Sequence, residues 1–435
     1  MSTELIGVLG IVVLFCFMAT RMWIGFAMAL TGFLGIVVLR GGFIQALNVL
    51  GTSPFNTINN YTMTTVPMFL LMGLVISETS IGRGLYRAAY AWIGRFRGGL
   101  AAATTCASGL LGAICSSHMT GTIIMSKIAL PEMRKYKYSD ELACGSIAGA
   151  APLSILIPPS MPFIMYGIIT EQPIGKLFMA GVIPGIILML IDLIMINIHT
   201  RRHPEAGPAG ERIPMKEKLK TTLEVLPMVV LFLLVLGGIY LGFFTATESG
   251  AIGAAGAIII AVIKRELSFK KLMECLATTA TMASTILILL AGTNIFVSFI
   301  TMSRLPQYLV GLVAGLNAPF LVLVGAVILI YIILGMFLPD MPLIVLTVPI
   351  LYPIITALGW DPLWFGLLVV FMQALGSVTP PVGMAVYLLS GLADVSVVKI
   401  FKGVLPFIVG MVIVIILTIA FPQIATFLPA MMTMK

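Results

Sequence analysis

The 435-residue chain is 60% hydrophobic and only 10% charged, with a mean hydropathy of +1.12, against about 45–50% apolar and 25% charged in soluble domains. That excludes a soluble globular protein and predicts an all-α polytopic membrane protein, because apolar runs long enough for a roughly 20-residue crossing recur along the chain. The formal charge of +8 reads as topology, with Lys and Arg gathered in cytoplasmic loops, and not as a nucleic-acid surface.

Roughly ten to fourteen membrane segments are expected by the crossing-length rule. A β-barrel is excluded because runs such as 186–198 and 407–419 are apolar on every face, without period-two alternation. Residues 5–20 and 22–39 form two apolar segments parted by Arg21. The first opens with Glu4 in place of a basic n-region, so it is expected as a retained span. Residues 41–61 are polar, Asn-rich and nearly uncharged, and read as an external loop or interfacial segment. After a span at 64–77, Arg83, Arg87, Arg95 and Arg97 alternate with Leu85, Tyr86, Trp92 and Phe96, the pattern of an amphipathic helix lying along the membrane.

The one long hydrophilic stretch, 200–220, carries three prolines, an excess of Lys and Arg, and no apolar periodicity. It predicts a cytoplasmic linker, and the basic loop at 264–271, two spans later, falls on the same side. The predicted organisation is a first repeat at 1–199, a linker at 200–223 and a second repeat at 224–435.

An internal repeat supports that division. Pro158 and Pro159 recur as Pro380 and Pro381, Pro184 as Pro406, Pro131 as Pro353 and Tyr86 as Tyr308, each 222 residues further on. Gly181-Val-Ile-Pro184 likewise faces Gly403-Val-Leu-Pro406. If the second repeat starts in the cytoplasm and the first outside, the halves are inverted, the plan of many secondary transporters.

Each half is interrupted twice by small, polar and proline residues. Gly112-Ala-Ile-Cys-Ser-Ser-His-Met-Thr-Gly121 and Gly335-Met-Phe-Leu-Pro-Asp-Met-Pro342 sit between short apolar arms and predict the tips of re-entrant hairpins. Gly149-Ala-Ala-Pro-Leu-Ser-Ile-Leu-Ile-Pro-Pro-Ser160 and Gly376-Ser-Val-Thr-Pro-Pro-Val-Gly383 predict broken helices, since a double proline removes two amide donors and frees carbonyls. Those carbonyls, with the hydroxyls of Ser116, Ser117, Thr120, Ser154, Ser160, Ser377 and Thr379, suit sodium, while half-helix N-termini favour a carboxylate. The competing reading is that Ser, Thr and Gly there merely permit close helix packing.

Asp340 is the carboxylate of most interest, because an isolated charge at membrane depth needs a partner, water or a cation. Asp192 and Glu248 read as interfacial, Lys127 and Lys176 as snorkelling, and His118 as a hydrogen-bonded packing residue. The five cysteines lie in apolar segments without CxxC spacing, and the 28 methionines are scattered as packing. Neither His spacing nor any HExxH, GxSxG or phosphate-loop motif supports a metal centre, a hydrolase or an ATP-driven pump.

At these residues the chain resembles the large, DctM-like membrane subunit of tripartite ATP-independent periplasmic (TRAP) transporters. The most specific parts are Ile157-Pro-Pro-Ser-Met-Pro162 with Tyr166-Gly167 and Gly175-Lys-Leu-Phe178, then Leu334-Gly-Met-Phe-Leu338, and Ala374-Leu-Gly-Ser-Val-Thr-Pro-Pro-Val-Gly383. The resemblance implies an elevator-type protein of the ion-transporter superfamily in the bacterial inner membrane. Its implied partners are a small four-helix membrane subunit, expected as a separate chain, and a periplasmic substrate-binding protein. It implies sodium as the coupling ion, with no other cofactor, and an organic-anion substrate. The family's sodium sites map to Ser116, Ser117, Gly149, Pro152 and Ser160 in the first half, and to Asp340, Gly376, Thr379 and Pro380 in the second. Ser117, Thr120, Ser154, Ser160 and Ser377 are the candidate substrate contacts. Two departures stand out: Pro339-Asp340 replaces the family's common Asp-Pro order, and Gln373 stands where relatives often have Asn.

Two other readings compete. A self-sufficient ion-coupled dicarboxylate carrier of the same superfamily would need no binding protein, and an integral-membrane enzyme would need a nucleophile–base or metal set that the sequence does not supply.

Overall fold

The computed structural model describes residues 2–115, 117–315 and 318–432, without the side chains of 113–115. The first half is built from α1 (Thr3–Ala19), α2 (Ile24–Arg40), α3 (Phe43–Ile58), a 3-10 turn at Tyr61–Thr64, α4 (Thr65–Ser77), α5 (Ile81–Ile93), α6 (Gly99–Cys115), α7 (His118–Lys135), α8 (Asp140–Ala150), α9 (Leu153–Leu156), α10 (Met161–Thr170) and α11 (Ile174–Arg202). The second follows with α12 (Met215–Tyr240), α13 (Ala246–Ile263), α14 (Phe269–Met302), α15 (Leu305–Gly315), α16 (Phe320–Phe337), α17 (Asp340–Ala357), α18 (Pro362–Val378), α19 (Met384–Ala393), α20 (Val397–Ala420) and α21 (Gln423–Ala430).

Local chemistry starts these helices where side chains satisfy free amides. Ser139 caps α8 through Leu142 N, Asp361 caps α18 through the amides of Leu363 and Trp364, and Thr245 with Glu248 forms a reciprocal capping box on α13. The capping role places Glu248 at a helix end, consistent with the interfacial reading. Gly41, at φ 68, closes α2 in a left-handed turn open to glycine at no steric cost.

Among the described residues eight helices are long and apolar enough to cross a membrane, or nine if the bent α3–α4 pair is one crossing. The apolar helices α1 and α2, at 17 residues each, sit at the lower end of the crossing range of about 17–25 residues, and α6, α15, α18 and α19 are further short apolar helices. Residues 41–61, expected as an external loop or interfacial segment, carry the helix α3 and not an irregular loop, and α3 meets α4 at 57°. It rests on α2 and α14, and Asn294 Nδ2 donates to Thr57 Oγ1 at 2.7 Å. The irregular linker is also shorter than the hydrophilic stretch: α11 runs on to Arg202 and α12 begins at Met215. It is pinned by backbone bonds from Gly98 to Gly207, Ser139 to Ala206 and Gly210 to Gly94.

Two helix groups emerge. One holds α1–α4 with α12–α14, drawn tight where Gly292 meets the Gly25 backbone on α2 and Gly250 meets Met68 and Phe69 on α4. The other holds α6–α11 with α16–α20 around α18, every residue of which from Trp364 to Val378 is buried. The arm helix α5 lays Leu85, Tyr86 and Ala88 against α6 and α12, leaving Arg83 and Arg87 outward. Its start is tied to the basic loop at 264–271: Glu266 accepts from both the amide and the hydroxyl of Ser80. Burial opposes charge on Glu266, but those two bonds, with Lys264 and Arg83 nearby, hold its carboxyl below the usual range. Opposite in character, α16 exposes Leu321, Leu329 and Phe337, an apolar face suited to lipid.

The offset of 222 residues recurs in structure. Helices start at Ile24 and Ala246, at His118 and Asp340, and at Asp140 and Pro362, while Pro158-Pro159 and Pro380-Pro381 are both cis.

Candidate functional site

The four interruptions anticipated from sequence are real breaks in the helices. In the first half α6 ends at Cys115 and α7 begins at His118, and α8 gives way to the short α9 and then α10. In the second, α16 ends at Phe337 before α17 begins at Asp340, and α18 ends at Val378 before α19 begins at Met384. Each incoming arm presses a glycine on the break of its own half: Gly112 on the Ser154 backbone, and Gly335 on Gly376. A side chain at either crossing would force the backbones apart.

The halves also exchange contacts reciprocally. α10 of the first broken helix packs on α17 of the second hairpin, and α19 of the second packs on α7 of the first. Gln172 Nε2 donates to Tyr352 Oη at 3.0 Å in one contact, and Arg134 donates to the Ala393 carbonyl at 2.8 Å in the other. The hairpin tips then meet directly: His118 Nδ1 lies 2.7 Å from Asp340 Oδ2, with side-chain exposures of 1% and 13%. The two groups are close without the alignment of a hydrogen bond, and His118 Nε2 is buried with no partner. His118 is therefore part of the site and not the packing residue that sequence suggested. The clue was its own number, since adding the repeat offset of 222 lands on Asp340.

This pair borders a cavity of about 410 Å³ between the tips and the facing helices α4 and α14, a size within the roughly 300–1,000 Å³ of small-molecule sites. Of the residues expected from sequence, Ser117, Thr120 and Asp340 line it. Ser117 also caps α7, its hydroxyl accepting from Thr120 N at 3.5 Å. Ser116 lies outside the described residues.

The other expected residues stand away from this cavity. Ser154 Oγ donates to the Ser108 carbonyl at 3.4 Å, Ser160 Oγ to that of Ile155, and Ser377 Oγ to that of Ala374 at 2.7 Å. Gly149 faces the Phe407 ring, and the Pro152 carbonyl accepts from Ile155 and Leu156. Gly376 accepts from the Thr379 amide, Thr379 Oγ1 donates to the Leu375 carbonyl at 2.6 Å, and Pro380 forms the cis turn.

Sequence reading missed Ser77 on α4 and Thr281 and Thr285 on α14, which face the tips across the cavity. The signal was present as threonines four apart on one helix face. Asp192, expected at an interface, is instead buried in α11 against Gly410 with neither oxygen bonded. Gln373, at one of the departures from the family pattern, is buried with its amide unpaired.

A family model described as the DctM component of the tripartite ATP-independent periplasmic transporter matches residues 11–424. The chain belongs to this family. A C4-dicarboxylate TRAP transporter large permease protein of Pseudomonas aeruginosa is 30% identical over 407 residues, covering 93% of each chain. A sialic acid TRAP transporter large permease protein of Vibrio cholerae is 30% identical, covering 86% of this chain and 87% of its own. The YdaH transporter of Alcanivorax borkumensis shares the fold at a TM-score of 0.59, with 12% identity and coverage of 88% and 90%. Neisseria gonorrhoeae MtrF does so at 0.60, with 14% identity and coverage of 88% and 84%. The protein is thus a multi-pass transporter permease component, which removes the integral-membrane enzyme from consideration.

Proposed function

We propose that this chain is the large subunit of a sodium-coupled TRAP transporter in the bacterial inner membrane, importing an organic anion handed over by a periplasmic binding protein. The observation that carries the reading is the charge of the tip cavity. Among its described lining residues there is no Lys or Arg, and the ionisable groups are His118 and Asp340. An organic anion entering there meets no fixed excess of positive charge, so a co-bound cation is the natural counter-charge. Ser117, Asp340, Thr379 and the carbonyls of Gly149, Pro152, Gly376 and Pro380 remain the proposed sodium ligands, with Ser160 beside the first break. Ser117 and Thr120, now joined by Thr281 and Thr285, are the substrate contacts the cavity favours. Ser154, Ser160 and Ser377 would serve by holding the breaks.

Helices α6–α11 and α16–α20 form the moving unit in this reading, sliding against α1–α4 and α12–α14 as two inverted repeats. The family description as one component of a tripartite system supports the two partners. Relatives named as TRAP transporter permeases for C4-dicarboxylate, sialic acid and isethionate support an anionic substrate.

Proteoliposomes holding this chain with the small subunit are expected to accumulate the anion only when the binding protein is added outside. Full-rate uptake by the chain alone would overturn the reading in favour of a self-sufficient carrier. Thr281→Val and Thr285→Val should each raise the half-saturating substrate concentration about fivefold, as for a lost hydrogen bond of about 1 kcal/mol. Unchanged saturation curves would remove α14 from the site.

A further inference from the structure

A second cavity, of about 640 Å³, follows the first along α7. Thr120 lines the tip cavity and Lys127 the second one, seven residues and about 10 Å further along the helix axis. Across from α7, Ser77 at the end of α4 lines the first and Ser80 at the start of α5 the second. The linker residue Ile213 also lines it, which by the distribution of Lys and Arg sets this cavity toward the cytoplasm.

The charges are arranged unevenly. Arg83, Arg87 and Lys127 line the cavity together with Glu132 and Glu217. Arg87 is held by Glu224 at 3.2 Å, whereas Arg83 and Lys127 have no ion pair among the described residues. Arg83, which has the Glu266 carboxylate nearby, and Lys127 stand nearest in chain to Ser77 and Thr120, and Glu217 stands next to the linker. Between them Tyr86 is 3% exposed, and its enclosed hydroxyl completes no hydrogen bond. The Thr104 hydroxyl beside it donates to its own helix at Leu100. A buried hydroxyl without a partner is uncommon and costly, and a ligand at that point would satisfy it.

We infer that this cavity is an exit-side anion station. A carboxylate or comparable small organic anion leaving the tip cavity is received by Arg83 and Lys127, with the Tyr86 hydroxyl donating to it. Glu132 and Glu217, lining the same cavity, lower its net positive potential, so the anion is held weakly and exchanges with the cytoplasm. The inference rests on the transport reading above. An anionic phospholipid headgroup offers the same chemistry, so the test must separate the two sources.

The test uses the chain with its small subunit in vesicles, carrying Ile213→Cys on a background in which the native cysteines are alanine. A thiol reagent bearing a sulfonate should label Ile213→Cys about tenfold faster than one bearing a quaternary ammonium, as expected where a charged cleft concentrates counter-ions. Arg83→Gln with Lys127→Gln should abolish that preference. Equal labelling rates, or a preference that survives both substitutions, would overturn the station. So would a preference seen in phosphatidylcholine vesicles that phosphatidylglycerol abolishes, because the headgroup would then own the cavity.

Succinate sealed inside wild-type vesicles provides a second readout with the native cysteines intact. It should slow uptake at about one-tenth the concentration needed with Arg83→Gln/Lys127→Gln, and equal concentrations would overturn the inference. Absence of uptake from every assembled set would instead sink the transport reading itself, and the exit role with it.

Discussion

Uptake by the assembled transporter is expected to fall about ten- to a hundredfold when Asp340 is replaced by alanine, the range set by the roughly 1.5–3 kcal/mol of an interaction with a charged group. Asp340 is the one carboxylate among the described residues of the tip cavity, and it lies 2.7 Å from a histidine that is almost wholly enclosed. Its removal deletes the negative group that a coupling cation would approach and takes away the carboxylate beside His118 Nδ1, on a ring whose two nitrogens complete no hydrogen bond. The check is initial uptake against sodium concentration in proteoliposomes, with potassium as the replacement ion. His118→Ala belongs in the same experiment. If the tips act as a unit, the double variant should lose little more than either single one. Asp340→Ala with wild-type rate and sodium dependence would take the carboxylate out of the coupling site.

Gly403→Ala is expected to prevent recovery of folded protein, or to lower its stability beyond the roughly 1–3 kcal/mol typical of overpacked cores. On α20, a Cβ at this position would run into the backbone carbonyl of Glu141, and Gly145 on α8 would in turn meet Gly403. Backbone yields far less than a flexible side-chain end, and small residues are what allow membrane helices to approach so closely. Gly237→Ala on α12 is the matched control, since its Cβ would meet nothing within 4 Å. Thermal unfolding of detergent-purified protein should separate the two, and equal melting curves would show that α8 and α20 are not packed as described.

The interruptions were legible in sequence because their chemistry is local. A double proline lacks two donors a helix needs, and the breaks before Met161 and Met384 follow it. Single prolines such as Pro184 and Pro406 stay inside helices, so the start of α17 at Asp340 rests on Pro339 together with the glycine crossing at Gly335. What sequence reading missed depends on partners distant along the chain. The 43–58 segment looks like a loop by its Asn, Gly, Ser and Pro content, yet packing on α2 and α14 holds it helical. Serine and threonine hydroxyls look alike in a sequence: Ser377 and Thr281 both donate back to their own helix, at Ala374 and Ala277, yet of the two Thr281 lines the cavity. His118 looked inert because nothing within its own helix reveals that Asp340 stands opposite.

Because α10 rests on α17 and α19 on α7, neither half of the inner bundle can be withdrawn without taking hold of the other. The clasp works like two hands gripping each other's wrists: a tug at one fingertip is felt in the opposite forearm. A gate that hinged one hairpin alone would have to undo Arg134 from Ala393 or Gln172 from Tyr352. The two hairpin tips and the two broken helices are therefore packed as one piece.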